Sequence, residues 1–248
     1  MQLLLSIDDT DNAESPGSGQ LLEHIVARLC EDGLIHNRSA VSRHQLFIHE
    51  QIPYTSHNSG MCCSVDVNDS DQRKITERMI RFLEEESAAG SDPGLCIAVN
   101  DDALKTESLI AYGLQAKRAV LTKRAGYSLA AATGLHLSEH GGTGDGVVGA
   151  LAAVGLKLYG SDGRCRGWQE AGLGETLLRA AELCEKAHVS SLVSEDRSVL
   201  AGEEMVLVVE EQLKTVLINH EEVLPVQALQ SGSGIPWRTL TKKEIKQF

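Results

Sequence analysis

The sequence predicts an α+β fold with mixed or antiparallel sheets, helices packed on one face, and a small C-terminal β appendage. Three observations support this class. A short apolar strand at residues 3–7 is followed by apolar residues at helical spacing over residues 21–29. Two strand-like segments, residues 45–52 and 61–67, are arranged as in a hairpin. After Ser190 the chain changes to short β-like runs with polar connections.

The remaining elements follow from the same periodicities. Residues 73–85 and 147–158 are predicted as helices, with a strand at 95–99 between them. A further helix is predicted over 170–188, where apolar residues share one side. Short β-like runs are predicted at residues 205–209, 214–218 and 222–227. The chain is therefore expected to have three parts, namely an α+β region at 1–165, a connecting helix within 166–190 and a β-rich appendage at 191–248.

Composition and charge narrow the class of protein. The chain has 248 residues, is 42% hydrophobic and 23% charged, and carries a formal net charge of −12, as expected of a soluble globular protein. Such an acidic balance disfavours a large surface that follows nucleic-acid phosphates. No apolar stretch approaches the ~18 residues of a membrane helix, and no basic segment precedes the first apolar run, so neither a membrane partner nor a signal peptide is expected. Six cysteines without a C-x-x-C pair predict a reducing, cytoplasmic location.

The first candidate site directly follows the first strand. Asp8, Asp9 and Asp11 place three carboxylates at the strand end, with Thr10 between them to orient the group. Crowded carboxylates repel one another unless a cation lies among them. Mg²⁺ prefers oxygen ligands and usually shares one or two carboxylates with a substrate phosphate. A magnesium site is one interpretation, and an ordinary acidic turn is the other.

The second candidate is a glycine-rich stretch before the helix at 147–158. Gly144-Asp145-Gly146 and Gly149 lie where backbone N–H groups at a helix start attract anions, so a bound phosphate is predicted there. The spacing matches a dinucleotide fingerprint by letter, but the context is poor, because that motif requires a strong strand immediately upstream and an acidic residue about 20 positions on after a second strand. A flexible loop before a closely packed helix is the alternative.

The third candidate is the polar connection between the two strands of the predicted hairpin. Here His57 could act as an acid or base near neutral pH, and the hydroxyl and amide groups of the segment, Asn58 among them, could orient a polar ligand. The same residues are also typical of a simple turn. Beside the glycine-rich stretch, Glu139 and His140 are further candidates for polar contacts.

In combination these segments resemble the archaeal tRNA-isoleucine agmatinylcytidine synthetases, which attach agmatine to the anticodon cytidine using ATP. The resemblance covers residues 1–160, the catalytic kinase-like and ferredoxin-like portions, and lies in the following motifs: Ser6-Ile7-Asp8-Asp9-Thr10-Asp11, Ile52-Pro53-Tyr54-Thr55, Asn58-Ser59-Gly60, Asp92-Pro93-Gly94 and Gly146-Val147-Val148-Gly149-Ala150-Leu151-Ala152-Ala153-Val154-Gly155. It implies Mg²⁺ held by Asp8, Asp9 and Asp11 and ATP near residues 58–60 and 144–149. The chain departs from the family at Gly17-Ser18-Gly19-Gln20, which lacks the family's phosphorylated threonine, and in having no tRNA-gripping modules downstream.

The function expected from these observations is a Mg²⁺/ATP-dependent phosphotransferase or ligase that acts on a small molecule. Two alternatives stay open, a non-catalytic nucleotide-binding sensor or assembly protein and an RNA-binding protein. The net charge disfavours tRNA as a partner without excluding it. The sequence leaves the acceptor substrate and the oligomeric state open.

Overall fold

In the computed structural model the chain divides into two units, Met1–Tyr159 and Gly160–Phe248. The structure describes residues 1–52, 58–167, 169–170, 175–229 and 236–247. Among these residues no helix is both long and apolar enough to span a membrane. The α+β class that the sequence predicts is confirmed, because strands and helices occur in both units.

An antiparallel sheet forms the framework of the first unit. Its strands are β1 (Gln2–Asp8), β2 (Asn37–Arg38), β3 (Ser42–Gln45), β4 (Ser59–Asp66), β5 (Gly94–Val99) and β6 (His136–Glu139). They lie in the order β6-β5-β1-β4-β3, and β2 also pairs with β4. The strand predicted at 45–52 is wrong, because β3 ends at Gln45 and the backbone N–H of Phe47 donates to the carbonyl of Ala116 instead of continuing a ladder.

Five helices cover this sheet. They are α1 (Ser18–Glu31), α2 (Gln72–Glu86), α3 (Thr106–Ala116), α4 (Lys123–Thr133) and α5 (Gly146–Tyr159). Leu3, Leu5 and Ile7 of β1 face a core that includes α1 and α2, whereas Leu4 faces a second core with α3 and α5. The helices therefore pack on both faces rather than on one. The reason lies in β1, since residues 3–7 are all buried and successive side chains of a strand point to opposite faces.

The second unit is richer in strands. They are β7 (Arg164–Cys165), β8 (Gln169–Glu170), β9 (Thr176–Arg179), β10 (Leu192–Val193), β11 (Met205–Val208), β12 (Gln212–Leu213), β13 (Val216–Ile218), β14 (Glu221–Ala228) and β15 (Trp237–Thr239). Most pairs are antiparallel, but β10 runs parallel to β14 and β11 parallel to β15. The β-rich segment that the sequence predicts after residue 190 thus contains the strands from β10 onward.

In the described residues of the second unit, one α-helix, α6 (Ala180–Ala187), and a short 3-10 helix, Glu244–Gln247, are present. The prediction of a helix over 170–188 is wrong for its first half, where β9 pairs with β11. Long-range strand pairing overrides the local helical spacing here. The helix begins where the backbone N–H of Arg179 donates to Oε2 of Glu182, a contact typical of a helix start.

Candidate functional site

The register of the first sheet brings several strand ends to one place. Asp8 at the end of β1 pairs with Gly94 at the start of β5, and Gly94 pairs with Glu139 at the end of β6. On the other side of β1, Ile7 pairs with Met61 near the start of β4. The acidic segment after β1 and the loop after β6 therefore meet at the same end of the sheet.

Glycines allow α5 to approach this end at backbone contact distance. A Cβ atom on Gly94 would lie 2.1 Å from the carbonyl carbon of Gly146, and one on Gly149 would lie 1.6 Å from Oδ2 of Asp8. Gly60 is equally confined, because its Cβ would lie 2.5 Å from the carbonyl oxygen of Gly149. Of the predicted site residues, Gly60, Gly146 and Gly149 thus allow the helix to pack closely against the carboxylates.

Five carboxylates interact electrostatically around this helix start. Burial, followed by the charge of Asp9, raises the pKa of Asp8 to about 8, although its Oδ1 accepts the backbone N–H of Asp9 at 2.9 Å. Burial, followed by the charges of Asp92, Asp11 and Asp145, raises the pKa of Asp9 to about 6. Asp9 also has a φ of 52°, so its backbone is in the left-handed region. The cluster places unfavourable negative charge where a cation would relieve it.

Sequence reasoning did not assign a role to Asp92. Its backbone N–H donates to the carbonyl of Asp9 at 3.0 Å, and its own carbonyl accepts the N–H of Gly146 at 3.1 Å. Asp92 therefore joins the acidic segment to the start of α5. The Asp92-Pro93-Gly94 motif was visible in the sequence. Because it is far from the acidic segment along the chain, the sequence did not predict the contact between Asp92 and Asp9.

Ser18, at the start of α1, holds the acidic segment in place. Its Oγ accepts from the N–H of Thr10 at 3.1 Å and from Oγ1 of Thr10 at 2.9 Å, and it donates to Oδ1 of Asp11 at 2.7 Å. Thr10 is 2% exposed. One oxygen of Asp11 is therefore engaged with the helix, and Thr10 fixes the backbone between the aspartates.

The glycine-rich loop has its N–H groups directed inward. The N–H of Gly144 donates to Gly141, that of Gly146 to Asp92, and that of Val148 to Asp145. Thr143 N–H donates to a carboxylate oxygen of Asp92. These donors are occupied by the protein, so the observed loop does not display the open ring of N–H groups that a phosphate cradle requires.

A lysine at the start of α4 supplies positive charge beside this loop. Nζ of Lys123 lies 3.1 Å from Oε2 of Glu139 and donates to the carbonyl of Thr143. Gly144 has a φ of 74°, and a Cβ on it would lie 1.5 Å from Oε2 of Glu139. The lysine and the glutamate together fix the position of the loop.

The third predicted segment contributes less to this arrangement. His57 lies outside the described residues. Asn58 uses its side-chain amide to donate to the carbonyl of Phe47 at 2.7 Å, and its own carbonyl accepts the N–H of Leu46 at 2.9 Å. Asn58 therefore joins the two ends of the connection between β3 and β4.

The donor chemistry at the sheet end fits a hard cation. Asp8 and Asp9 offer carboxylate oxygens, and no lysine, arginine or histidine forms an ion pair with either of them in the described part of the chain. Within the same residues, no group of three or more His, Cys, Asp or Glu side chains is arranged to hold a metal ion. Mg²⁺ does not need such a group, because it takes one or two carboxylates together with phosphate and water oxygens.

Comparison with known proteins gives structural matches without sequence matches. No family model matches the chain, and no curated protein matches it. A tRNA fluorescent labeling enzyme matches with a TM-score of 0.54 and 23% identity over 62% of this chain and 36% of that one. Apo TiaS, an agmatidine synthetase for an isoleucine tRNA, matches with a TM-score of 0.54 and 22% identity over 62% and 35%. The complex of TiaS with its isoleucine tRNA and ATP matches with a TM-score of 0.54 and 21% identity over 62% and 36%.

These matches show a shared fold. The chain spans about a third of the length of each solved structure that it matches. The matched 62% of the chain therefore shares the fold of part of TiaS, and the activity and substrates of this chain are a separate question.

Proposed function

We propose that the end of the sheet beside Asp8 and Asp9 binds Mg²⁺ and the phosphates of ATP, and that the chain is an ATP-dependent phosphotransferase or ligase. The observation that carries the proposal is the close approach of the Asp8 carboxylate to Gly149 at the start of α5, together with the raised pKa values of Asp8 and Asp9. A complex of the structurally similar TiaS contains ATP, which supports a nucleotide at this fold.

Each side chain would have a distinct part in binding. Asp8 and Asp9 would hold the metal, which when bound neutralises charge on the phosphates. Asp11 and Thr10, fixed by Ser18, would keep the two ligands in position. Lys123 would face the phosphates from the side of the glycine-rich loop. Because the loop N–H groups are engaged within the protein, phosphate binding would depend mainly on the metal and the lysine.

We propose a small molecule as the acceptor. TiaS has been solved with its isoleucine tRNA, an ATP analogue and agmatine, so both a small amine and a tRNA are known ligands of this fold. The net charge of −12 favours the small molecule, because affinity for tRNA depends on contacts from lysine and arginine to phosphate. We also propose a cytoplasmic location, because the six cysteines of the sequence include no C-x-x-C pair.

Nucleotide binding is tested by thermal unfolding with and without Mg·ATP. At 100 times the dissociation constant, the ligand is expected to stabilise the protein by about 2.7 kcal/mol. Asp9→Asn should remove this stabilisation while keeping the backbone, since asparagine tolerates the left-handed conformation of residue 9. Asp102→Asn, at an exposed aspartate, is the matched control and should leave the stabilisation intact. If Mg·ATP stabilises neither the parent nor the control, the binding proposal is wrong.

Turnover is tested separately by following ATP consumption in the presence of candidate amines and other small acceptors. Phosphate or pyrophosphate release that Asp9→Asn abolishes supports an enzyme. Binding without release across the acceptors would instead identify a nucleotide sensor. A tRNA acceptor predicts association with tRNA that weakens steeply with salt, and its absence at low salt would exclude that partner.

A further inference from the structure

Strand β6 carries a row of polar side chains unrelated to the acidic cluster. His136 and Ser138 of β6 share one face, while Leu137 and Glu139 occupy the other, and His140, directly after the strand, contacts Ser138 on the first face. Leu137 packs with the core of α3 and α5, and the opposite face meets α2, where Glu84 approaches His140. The three polar residues therefore lie on the face of the sheet that α5 does not cover.

These side chains form a continuous chain of contacts. Nε2 of His136 lies 2.9 Å from Oγ of Ser138, and the same Oγ lies 2.7 Å from Nε2 of His140. On the far side of the ring, Nδ1 of His140 lies 3.7 Å from Oε1 of Glu84. The imidazole of His140 is 6% exposed, whereas the Glu84 side chain is 59% exposed, so the contact with Glu84 lies at the surface.

One distribution of protons satisfies the whole chain. A proton on Nδ1 of His140 faces Glu84, which leaves Nε2 of that ring as an acceptor. The hydroxyl of Ser138 then donates to Nε2 of His140, and its oxygen accepts from Nε2 of His136. Burial lowers the pKa of His140, and the charge of Glu84 opposes this effect only in part. His140 is therefore a neutral base at neutral pH.

We propose that Ser138 is the nucleophile of an acyl-transfer site, with His140 as its general base and Glu84 as the positioning residue. A serine within hydrogen-bond reach of an imidazole, which a carboxylate orients in turn, is the arrangement that activates a hydroxyl. The site takes a carbonyl compound with a good leaving group, such as an activated ester. It is independent of nucleotide binding.

The backbone supplies donors for the charge that develops on the carbonyl oxygen. The N–H of His140 donates to the carbonyl of Pro93 on the side of β5. Because N–H groups alternate along a strand, those of Leu137 and Glu139 point away from β5. In the described residues β6 pairs with β5 alone, so these two N–H groups lie at its other edge, on either side of Ser138. Because the two N–H groups are about 6.8 Å apart along the strand, a single one of them would donate to the oxyanion.

Apart from the ester, the proposed reaction needs only water as a reactant. Oγ of Ser138 forms a bond to the carbonyl carbon while its proton passes to Nε2 of His140. The bond between that carbon and the leaving oxygen then breaks, and His140 returns the proton to the departing alcohol. Water repeats the sequence on the acyl-serine and releases the acid.

The experiment treats the full chain with a fluorophosphonate, which bonds to an activated serine with loss of fluoride. Peptide mass spectrometry is expected to locate the adduct on Ser138. Ser138→Ala should abolish it, and His140→Gln should slow it by about 100-fold or more, the usual range for loss of a general base. Ser108→Ala, at an exposed serine of α3, should have no effect. Absence of an adduct on Ser138, or an undiminished rate in His140→Gln, would overturn the proposal.

A thiol variant separates activation from folding. In Ser138→Cys the neighbouring imidazole should favour the thiolate, so iodoacetamide should alkylate it rapidly below pH 7. Adding His140→Gln should remove this reactivity, and adding Glu84→Gln should shift the pH profile of alkylation without unfolding the protein. An ordinary thiol pH profile in Ser138→Cys would show that the imidazole does not activate this position and would overturn the proposal.

Discussion

Replacing Asp8 with asparagine is expected to remove a pH-dependent part of the stability of the metal-free protein. Asparagine has nearly the same size and keeps an oxygen to accept the N–H of Asp9, so the substitution changes mainly the charge. The structure raises the pKa of Asp8 from 3.8 to about 8, and burial is the largest cause. The folded protein therefore keeps a proton on Asp8 at pH values where the unfolded chain has lost it.

The sign and size of the effect follow from this difference in proton binding. The contribution of Asp8 to the free energy of unfolding is complete below pH 4 and is lost as the pH rises towards 8. Between pH 5 and 7 the slope is about 1.4 kcal/mol per pH unit, which amounts to about 2.7 kcal/mol over the interval. The asparagine variant lacks this slope, so it should gain about this much relative to the parent.

Urea unfolding at pH 5, 6 and 7 with EDTA measures this difference. Asp102→Asn, which removes an exposed carboxylate, is the matched control and should follow the parent at every pH. The reasoning would be refuted if the stability curves of Asp8→Asn and the parent ran parallel with pH. Parallel curves would mean that Asp8 has the same proton affinity in the folded and unfolded chains.

Three further outcomes are expected. Stabilisation by Mg·ATP should increase from pH 6 to pH 8, because the carboxylates must lose their protons to hold a cation, and a flat response in thermal unfolding would contradict this. Gly149→Ala should abolish the stabilisation by Mg·ATP. It should also lower the free energy of unfolding of the ligand-free protein by about 1–3 kcal/mol or more, since its Cβ would overlap Asp8. The control is Gly17→Ala, which has open space around it and should unfold at the same temperature as the parent. Glu244→Gln should lower the free energy of unfolding by about 1 kcal/mol at pH 7, because it breaks the partly exposed contact with Arg238 that lowers the pKa of Glu244 to about 2. An unchanged midpoint of urea unfolding would show that this contact does not stabilise the fold.

Local sequence patterns predicted the parts of the site that lie at element ends. The acidic segment after β1 and the glycines before α5 were each visible as a motif, and in the structure Asp8 lies against Gly149. The glycines were predicted to cradle a phosphate, whereas in the structure they let a helix approach a strand end. Both functions require a residue without a side chain, so composition alone could not separate them.

Residues whose role depends on distant partners could not be predicted. Ser18 is an ordinary residue for the start of a helix, and only the folded structure shows that it forms hydrogen bonds with Thr10 and Asp11. Similarly, the spacing of apolar residues before Ala180 fits a helix as well as a strand, and pairing with β11 decides between them. The same limit applies to Ser138, because the partners of its hydroxyl include a histidine oriented from α2.

The close approach of α5 explains both why ionisation of the acidic cluster opposes folding and why the cluster is proposed to bind a cation. Backbone contact at Gly146 and Gly149 buries Asp8 and brings Asp92 and Asp145 near Asp9, which is why both pKa values are raised. In the absence of a cation this arrangement opposes ionisation and lowers stability at neutral pH. Under the proposed function, a divalent cation would relieve the same repulsion, and the free energy withheld from folding would become available for binding. A site that only stabilised the fold would pair these carboxylates with lysine or arginine, whereas the proposed metal and phosphate site would keep them available.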